Sequence, residues 1–334
     1  MKETTIGIIG QGFVGNAIYQ GFKDYYSVLT YDKYIDTKSN STLENLVINS
    51  DVIFSCVPTP MTDAGECFTG IVEDVLKEIN DICEKENMFD QIVIIKSTVI
   101  PGTTKKMNDK FEHINVIFNP EFLTEANAVN DWKNQNRIIL GGLNKVTAKV
   151  KPIFKKVFPQ VPIVKTDSKY AEMVKYVINT FLATKVSFAN EIYQLCKVQD
   201  IDYDKVIEYA QYDERLGKSH WSVPGPDGEF GFGGHCFPKD TQALMFESFK
   251  MGLTPIMLAA TITKNDEVRG ERDWEKMDGR AVIKTNNFKT VNEYASLEDM
   301  RNGVETPEPI LDNQDLEGTD LEWTNNPNQL KLNI

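Results

Sequence analysis

The sequence predicts an α/β fold, in which an N-terminal doubly wound parallel sheet is followed by a helical domain with a long central helix. Short β-branched runs alternate with helix-like polar segments in the first half of the chain. These runs are apolar at nearly every position, as expected of strands that are buried on both faces of a parallel sheet. The pattern then changes, and residues 168–198 lack both Pro and Gly.

The composition is that of a folded, acidic chain. Its 334 residues would fill about two domains of ~150 residues each. Charged residues make up 25% and nine hydrophobic residue types 41%, which excludes wholesale disorder. The net charge of −13 argues against a nucleic-acid partner, and no apolar run is long enough to span a membrane.

The cysteines and the N-terminal residues indicate a reduced, intracellular protein. Five cysteines are scattered without a CxxC pair, and with only three histidines no metal site is expected. The first strand-like run begins at Thr5, which leaves no room for a signal peptide before it. We therefore expect a cytoplasmic protein.

Seven strand-like runs predict the sheet of the N-terminal domain, which we place at residues 1–166. The runs are Thr5–Gly10, Val28–Tyr31, Asp51–Val57, Gln91–Lys96, Asn115–Phe118, Arg137–Leu140 and Pro162–Lys165. Helix-like segments between most of these runs are typical of strand–helix–strand units with parallel strands.

Residues 167–270 are expected to form the helical domain. Apolar side chains at three- and four-residue spacing over residues 168–198 predict one long amphipathic helix, with Asp167 or Ser168 as its N-cap. Shorter helices are predicted at 203–212, 241–250 and 255–269, and the Gly-, Pro- and aromatic-rich segment 216–240 is expected to be a functional loop. The acidic residues 271–334 lack periodicity and are expected to be weakly ordered.

A glycine pattern after the first strand-like run is typical of a Rossmann dinucleotide-binding domain. The pattern consists of Gly10, Gly12, Phe13, Val14 and Gly15. Its first glycine permits a tight turn, its second lets a pyrophosphate approach the backbone, and its third lets helix and strand pack closely. Asp32 ends the second run and would repel a 2′-phosphate, which favours NAD over NADP. Two further loops, which carry Thr59 and Thr98, follow strand ends at the edge where such sheets bind ligands.

Cys236 is the candidate nucleophile. It lies in a glycine-rich loop that a substrate could approach, and Lys239 and Asp240 follow at the expected start of a helix. A nearby cation and free helix-start amides would both lower the pKa of the thiol. The alternative is that Cys236 is a small buried hydrophobic residue.

Two pairs of polar residues are ambiguous from their spacing. Lys175 and Asn179 lie four residues apart on one face of the long helix. They could point inward towards partners, but the interpretation favoured by local sequence is that Lys175 reaches solvent and Asn179 bonds a loop. Glu121 and Glu125 are also four apart and could be either a solvated face or an acid/base pair.

The combination of these motifs resembles the UDP-glucose/GDP-mannose dehydrogenase family. The matching segments, in order, are Gly10–Gly15 with Asp32, Cys56–Pro60, Ser97–Thr98 with Pro101–Thr103, Asn119–Leu123 with Glu125, Glu172–Lys175, Asn179–Glu191 and Phe232–Asp240. The resemblance extends from about residue 5 to residue 270.

This resemblance implies an enzyme that oxidises the C6 alcohol of a nucleotide sugar, preferably UDP-glucose, to a carboxylate while two NAD are reduced. Cys236 would add to the intermediate aldehyde and give a thiohemiacetal. The second oxidation would leave a thioester, which water hydrolyses. The family also forms dimers through its long central helix, so a homodimer is implied.

The resemblance further implies roles for individual residues. The implied catalytic residues are Cys236, Lys175 and Asn179 for the developing oxyanion, Asp240 and Thr98 for the catalytic water, and Glu121 for acid/base work in thioester hydrolysis. Cofactor contacts are implied for Thr59, Thr98, Glu125 and Lys239. Substrate contacts are implied for Glu121, Phe122, Leu123, Lys175, Asn179, Gly233 and Arg215, the last of which reaches the neighbouring subunit's site.

Family members carry a third domain that holds much of the nucleotide half of the substrate, and this chain is expected to lack most of it. A truncated paralogue could therefore bind NAD but need a partner for turnover of a nucleotide sugar, or lack that turnover. Enzymes that act on UDP-N-acetylmannosamine or GDP-mannose share the same motifs. A two-electron dehydrogenase of the 3-hydroxyacid type would share the layout but would have no use for Cys236.

Overall fold

The computed structural model describes residues 4–284, and a seven-stranded sheet forms its centre. The strands are β1 (Thr5–Ile9), β2 (Ser27–Tyr31), β3 (Val52–Ser55), the separate short β4 (Met61–Thr62), β5 (Gln91–Ile95), β6 (Ile114–Phe118), β7 (Ile138–Gly141) and β8 (Ile163–Thr166). The order in the sheet is β2-β1-β3-β5-β6-β7-β8. The predicted α/β fold is thus confirmed.

Helices accompany the strands along the chain, and two apolar cores flank the sheet. The helices of this half are α1 (Phe13–Phe22), α2 (Leu43–Asn49), α3 (Gly70–Lys85), α4 (Thr103–Lys110), α5 (Ala128–Lys133) and α6 (Asn144–Val157). Alternate strand residues enter different cores, since Phe54 and Ile94 belong to one cluster while Ile53 and Val93 belong to the other. Burial on both faces explains why the strand sequences are apolar at nearly every position.

One strand pair departs from the predicted parallel sheet. Phe118 of β6 pairs with Gly141 of β7 in antiparallel orientation, whereas β5–β6 and β7–β8 are parallel. The connection between β6 and β7 contains only a 3-10 turn at Glu125–Asn127 and the six-residue α5. A parallel pair requires a crossover that returns the chain along the sheet, and this connection does not make one. The prediction of an all-parallel sheet is therefore wrong at this pair.

The long central helix is α7 (Ser168–Val198), as the spacing of apolar residues predicted. Its N-cap is Asp167, whose side chain accepts a hydrogen bond from the Lys169 amide. It is followed by α8 (Tyr203–Ala210), α9 (Phe237–Lys250) and α10 (Ile256–Val268), and it packs against α9 and α10. Helix α9 begins at Phe237 rather than at Thr241, because Pro238 is compatible with a first helical turn.

The glycine-rich segment before α9 is held by side chains from three elements. The side-chain Oδ1 of Asn190 accepts a hydrogen bond from the Gly231 amide (3.1 Å). The Asn265 side chain accepts from the Phe232 amide and donates to the Phe232 carbonyl. The Asp273 carboxylate accepts from the Gly234 amide at 2.9 Å. These bonds fix the backbone that leads into Cys236.

The chain after α10 returns to the sheet domain. A 3-10 turn at Asp273–Lys276 is followed by β9 (Val282–Ile283), which pairs with β4, and buried Trp274 clusters with Met61. Weak order was predicted from residue 271 onward, but residues 273–283 form these elements because they pack on the sheet domain. The remainder of that segment, 285–334, lies outside the described residues. No helix within residues 4–284 is long and apolar enough to cross a membrane.

Candidate active site

The glycine loop after β1 forms an open cradle at the start of α1. Gly10 has φ +86°, and a Cβ there would lie 2.8 Å from the Cys56 carbonyl oxygen. A Cβ on Gly15 would collide with the Gly10 carbonyl oxygen, whereas a Cβ on Gly12 would meet no heavy atom within 4 Å. Phe13 and Val14 are the first residues of α1. The space in front of Gly12 and the free amides of a helix start suit a pyrophosphate.

The carboxylate of Asp32 is fixed beside this cradle. Its Oδ2 accepts a hydrogen bond from the Gln11 amide at 2.7 Å, and its Oδ1 accepts from the amides of Tyr34 and Ile35 at 2.9 and 3.0 Å. The Lys38 ammonium donates to the Gln11 carbonyl at 3.0 Å. An oriented carboxylate beside the cradle suits the hydroxyl groups of a ribose, so the cradle and Asp32 together fit NAD.

The other residues expected to contact NAD occupy three positions. The Thr59 hydroxyl donates to the Thr98 carbonyl at 2.7 Å, which joins two buried loops at the carboxyl edge of the sheet. The Lys239 ammonium is buried against Asp240, and this charge raises its pKa although burial opposes the shift. Glu125 is exposed; its carboxylate lies 3.3 Å from Nδ1 of His235 and accepts from Arg280 at 3.0 Å.

The predicted catalytic side chains meet where α7, α9 and the end of β6 come together. The Lys175 ammonium donates to the Glu121 carboxylate at 2.9 Å and to its carbonyl at 2.7 Å, and both side chains are buried. The Asn179 amide donates to the Asp240 carboxylate at 2.5 Å. The favoured sequence interpretation, in which Lys175 reaches solvent and Asn179 bonds a loop, is therefore wrong. Both side chains face inward because each has a buried carboxylate partner from a distant segment.

Cys236 is the N-cap residue of α9 and lies within electrostatic reach of this group. Burial raises the pKa of its thiol to about 12, although the charges of Lys175 and Lys239 act in the opposite direction. The expectation that a cation and helix-start amides lower this pKa is therefore wrong. Neighbouring sequence showed the cations, but the removal of the thiol from water has the larger effect.

The Lys175–Glu121 pair stabilises its own charged form. Burial alone would lower the pKa of Lys175, but the charges of Glu121 and Asp240 and the hydrogen bond to Glu121 raise it above its usual value. Burial likewise opposes ionisation of Glu121, yet Lys175 holds the pKa of that carboxyl below its usual value. The site thus contains a buried ammonium and carboxylate beside a protonated thiol.

Some of the residues predicted to contact the substrate lie next to the Lys175–Glu121 pair, and others lie apart from it. Phe122 and Leu123 line a cavity of about 290 Å³ together with Glu121, and the Lys175 ammonium lies 5.6 Å from the centre of the Phe122 ring. Gly233 packs against the ends of the Arg269 and Asp273 side chains, which would have to shift to admit a Cβ there. Arg215 is exposed, and its side-chain hydrogen bonds within the described chain go to Asp213.

Two buried charged residues near the site, Glu172 and Lys96, were not among the predicted site residues. Glu172 is fully buried, and its carboxylate accepts hydrogen bonds from the amides of Gly102 and Thr104 at 2.6 and 2.8 Å, which anchors α4 to α7. Lys96 is buried directly before Ser97. A lysine that ends an apolar strand was a visible signal for it. Within residues 4–284, no group of three His, Cys, Asp or Glu side chains could hold a metal ion.

The fold and the glycine cradle define a dinucleotide-binding α/β protein. Residues 31–160 match the NAD binding domain of the UDP-glucose/GDP-mannose dehydrogenase family, and residues 169–267 match the central domain of the same family. The two matches together cover more than half of the sequence, and this chain belongs to that family. Its cofactor is accordingly NAD.

Named relatives agree with this assignment. The chain is 28% identical over 306 residues to UDP-glucose 6-dehydrogenase AglM of Haloferax volcanii, covering 78% of this chain and 69% of the relative. It is 33% identical over 234 residues to GDP-mannose 6-dehydrogenase of Pseudomonas aeruginosa, covering 66% and 51%. A UDP-glucose dehydrogenase structure from Pyrobaculum islandicum superposes with a TM-score of 0.72 at 27% identity, covering 79% of this chain and 68% of that one. The chain spans about half to just over two-thirds of the length of such relatives.

Proposed function

We propose that this protein oxidises the C6 alcohol of UDP-glucose to the carboxylate of UDP-glucuronate. The observation that carries the proposal is a partly buried thiol, Cys236, at a helix start and within electrostatic reach of the Lys175–Glu121 pair. NAD, when bound, supplies the hydride acceptor for two successive oxidations. A nucleophilic sulfur is needed only if the aldehyde is to be carried on to an acid, so a dehydrogenase that stops after one oxidation would not explain Cys236.

The chain's own groups suit the covalent steps. As the S–C6 bond forms, the thiol adds across the aldehyde carbonyl, and its proton ends on the new hydroxyl of the thiohemiacetal. The Lys175 ammonium and the Asn179 amide are donors for the oxygen on which negative charge develops during this addition. Because burial keeps the Cys236 thiol protonated, the charge-stabilising donors must act while the bond forms.

Hydrolysis of the thioester requires a proton acceptor and a held water. Glu121 is ionised, because Lys175 lowers its pKa, and can accept a proton from water as that water attacks the acyl carbon. The C–S bond then breaks and the sulfur regains a proton. The carboxylate of Asp240 is held by Asn179 and Lys239, which supports the proposal that it holds the water together with Thr98.

The test is the stoichiometry of NADH formed from UDP-glucose by the purified protein. We expect two NADH per sugar, and Cys236→Ser should stop after the first oxidation. Cys196→Ser is the matched control, because Cys196 lies in a separate apolar cluster with Tyr203 and Trp221 and should keep full turnover. One NADH per sugar in the unchanged protein, or full activity in Cys236→Ser, would contradict the proposal.

GDP-mannose is a second candidate substrate, because a GDP-mannose 6-dehydrogenase is as similar to this chain as several UDP-glucose enzymes are. A product assay over UDP-glucose, UDP-N-acetylmannosamine and GDP-mannose decides between them. Calorimetry adds a separate measurement. Binding of NAD without binding of any of these sugars would instead favour a protein that needs a partner for turnover.

We also propose a homodimer through α7. Large apolar side chains are exposed along this helix, namely Tyr170, Met173, Val177, Phe181, Phe188 and Leu195. Such a stripe on an otherwise packed helix is typical of a surface that a second protein covers. Phe181→Glu should give a monomer in analytical ultracentrifugation, whereas Tyr25→Glu, an exposed aromatic on the sheet domain, should not change the mass.

A further inference from the structure

Lys96 is a buried ammonium that the steps above do not use. It follows β5 directly, is 2% exposed, and lies between the sheet and α5. Its Nζ donates to the Asn119 side-chain carbonyl at 2.7 Å and to the Pro120 carbonyl at 3.5 Å. Asn119 is itself held, because its amide donates to the Ile139 carbonyl at 2.7 Å. Lys96 therefore fixes the turn Asn119–Pro120 that leads into Glu121.

The partners of Lys96 are all uncharged. Besides the two carbonyl oxygens, the Trp132 ring centre lies 5.4 Å from Nζ, and no described carboxylate makes an ion pair with it. A buried charge without a paired countercharge is costly. Burial accordingly lowers the pKa of Lys96 to about 8. An apolar side chain could fill this position with a smaller desolvation penalty, so packing alone does not explain a lysine here.

The charge of Lys96 acts on the catalytic group. The titratable groups that influence the pKa of Lys96 are Cys56 after β3, Glu121 after β6 and Lys175 on α7. In return, Lys96 adds to Lys175 in lowering the pKa of Glu121. Lys96 and Glu121 also line the same cavity. Two ammonium groups thus act on Glu121. Lys175 is hydrogen-bonded to it, and Lys96 lies behind the turn Asn119–Pro120 that supports it.

We propose that Lys96 is a positioning residue for the hydrolytic half of the reaction: through Asn119 and Pro120 it sets the turn that carries Glu121, and its charge keeps that carboxylate ionised. This inference rests on the function proposed above. It separates the two half-reactions, because the first oxidation does not need Glu121 as a base whereas hydrolysis of the thioester does.

Two substitutions separate the hydrogen bond from the charge. Lys96→Gln keeps an N–H donor for Asn119 but removes the charge, and Lys96→Met removes both. In each variant we expect a normal first burst of NADH, accumulation of acyl-enzyme on Cys236 by intact-protein mass spectrometry, and acid formation slowed by on the order of tenfold. Lys155→Gln is the matched control, since Lys155 also donates to backbone carbonyls but lies on the surface of α6.

A second measurement needs no substrate. The carboxylate band of Glu121, identified in ¹³C-glutamate-labelled protein by its loss in Glu121→Gln, is titrated by infrared spectroscopy. In Lys96→Gln the pKa of Glu121 should rise relative to the unchanged protein, because a charge that lowers it is removed. A merely structural role for Lys96 would not move this titration in a variant that keeps the hydrogen bond and the melting temperature.

The outcomes are distinct for the two proposals. If the unchanged protein reduces no NAD with any nucleotide sugar, the proposed function fails, and the infrared titration alone decides the role of Lys96. An unchanged Glu121 titration in Lys96→Gln overturns the inference. So does turnover in that variant without accumulated acyl-enzyme. If Lys96→Met does not fold, Lys96→Gln carries both measurements.

Discussion

Two glycines of the cofactor loop should respond to the same substitution in opposite ways. A Cβ added at Gly15 would collide with the Gly10 carbonyl oxygen, which is backbone and cannot rotate away. A Cβ added at Gly12 would meet no heavy atom within 4 Å, and the residue's φ of −66° is one that alanine adopts readily. Gly15→Ala therefore strains the protein itself, while Gly12→Ala only occupies space that a ligand needs.

The magnitudes follow from these two environments. Forcing one methyl group into a packed contact costs about 1–3 kcal/mol, so Gly15→Ala should lower the free energy of unfolding by that amount. Gly12→Ala should change the free energy of unfolding by less than about 0.5 kcal/mol, as expected of a substitution that touches nothing. A methyl group where the pyrophosphate approaches should weaken NAD binding by at least about tenfold, which corresponds to roughly 1.4 kcal/mol.

Chemical denaturation without NAD and calorimetric titration with NAD measure the two effects separately. We expect Gly12→Ala to unfold like the unchanged protein and to bind NAD poorly. Gly15→Ala should lose stability before any ligand is added. Unchanged NAD affinity in Gly12→Ala, or unchanged stability in Gly15→Ala, would refute the assignment of the cradle.

Three other predictions concern the charged groups. Because burial raises the pKa of Cys236 to about 12, alkylation of Cys236 by iodoacetamide should accelerate about tenfold per pH unit between pH 7 and 10. Glu121→Gln removes a charge that raises the pKa of Cys236, so it should accelerate the alkylation at a fixed pH. Peptide mapping measures both effects. Glu121→Gln also leaves Lys175 buried without its carboxylate and should lower the free energy of unfolding by about 3 kcal/mol at pH 7. Since the folded-state pKa of Glu121 is depressed, this difference is present above the unfolded pKa and should shrink as the pH falls through the folded value, which a series of denaturation curves from pH 7 downwards tests. Asp32→Gly removes the ribose acceptor and leaves Lys38 beside the loop, so calorimetry should show weaker NAD binding and a higher ratio of NADP to NAD affinity.

Features that depend on local sequence were predicted well. The glycine pattern, the strands and the limits of α7 depend on spacing within a short segment, which is visible in one sequence. The direction of β7 was not predicted, because it depends on the path of residues 119–137 rather than on the sequence of the strand itself. The start of α9 was placed late because a proline inside a glycine-rich segment resembled a loop more than a first helical turn.

The electrostatics of the site depended on distant residues and was predicted poorly. The partner of Lys175 is Glu121, which lies 54 residues away in the chain, and Asn179 meets Asp240 across 61 residues. The thiol of Cys236 stays protonated because its desolvation in the folded chain outweighs the effect of the nearby cations, which its sequence neighbours did not reveal. Residue types thus indicated which chemistry was available, whereas burial determined the protonation state in which each group rests.

The resting protonation states bear on the order of events at the site. A permanently ionised thiol would react with any electrophile that entered, whereas a buried thiol with a high pKa reacts only where donors stabilise the charge that forms during addition. In the proposed mechanism Lys175 is such a donor. Its charge is maintained by Glu121, which would afterwards be needed as the base for hydrolysis. One ion pair therefore links the group suited to the addition of the sulfur with the group suited to its release. A substitution of Lys175 or Glu121 should accordingly slow both the addition of the sulfur to the aldehyde and the hydrolysis of the thioester.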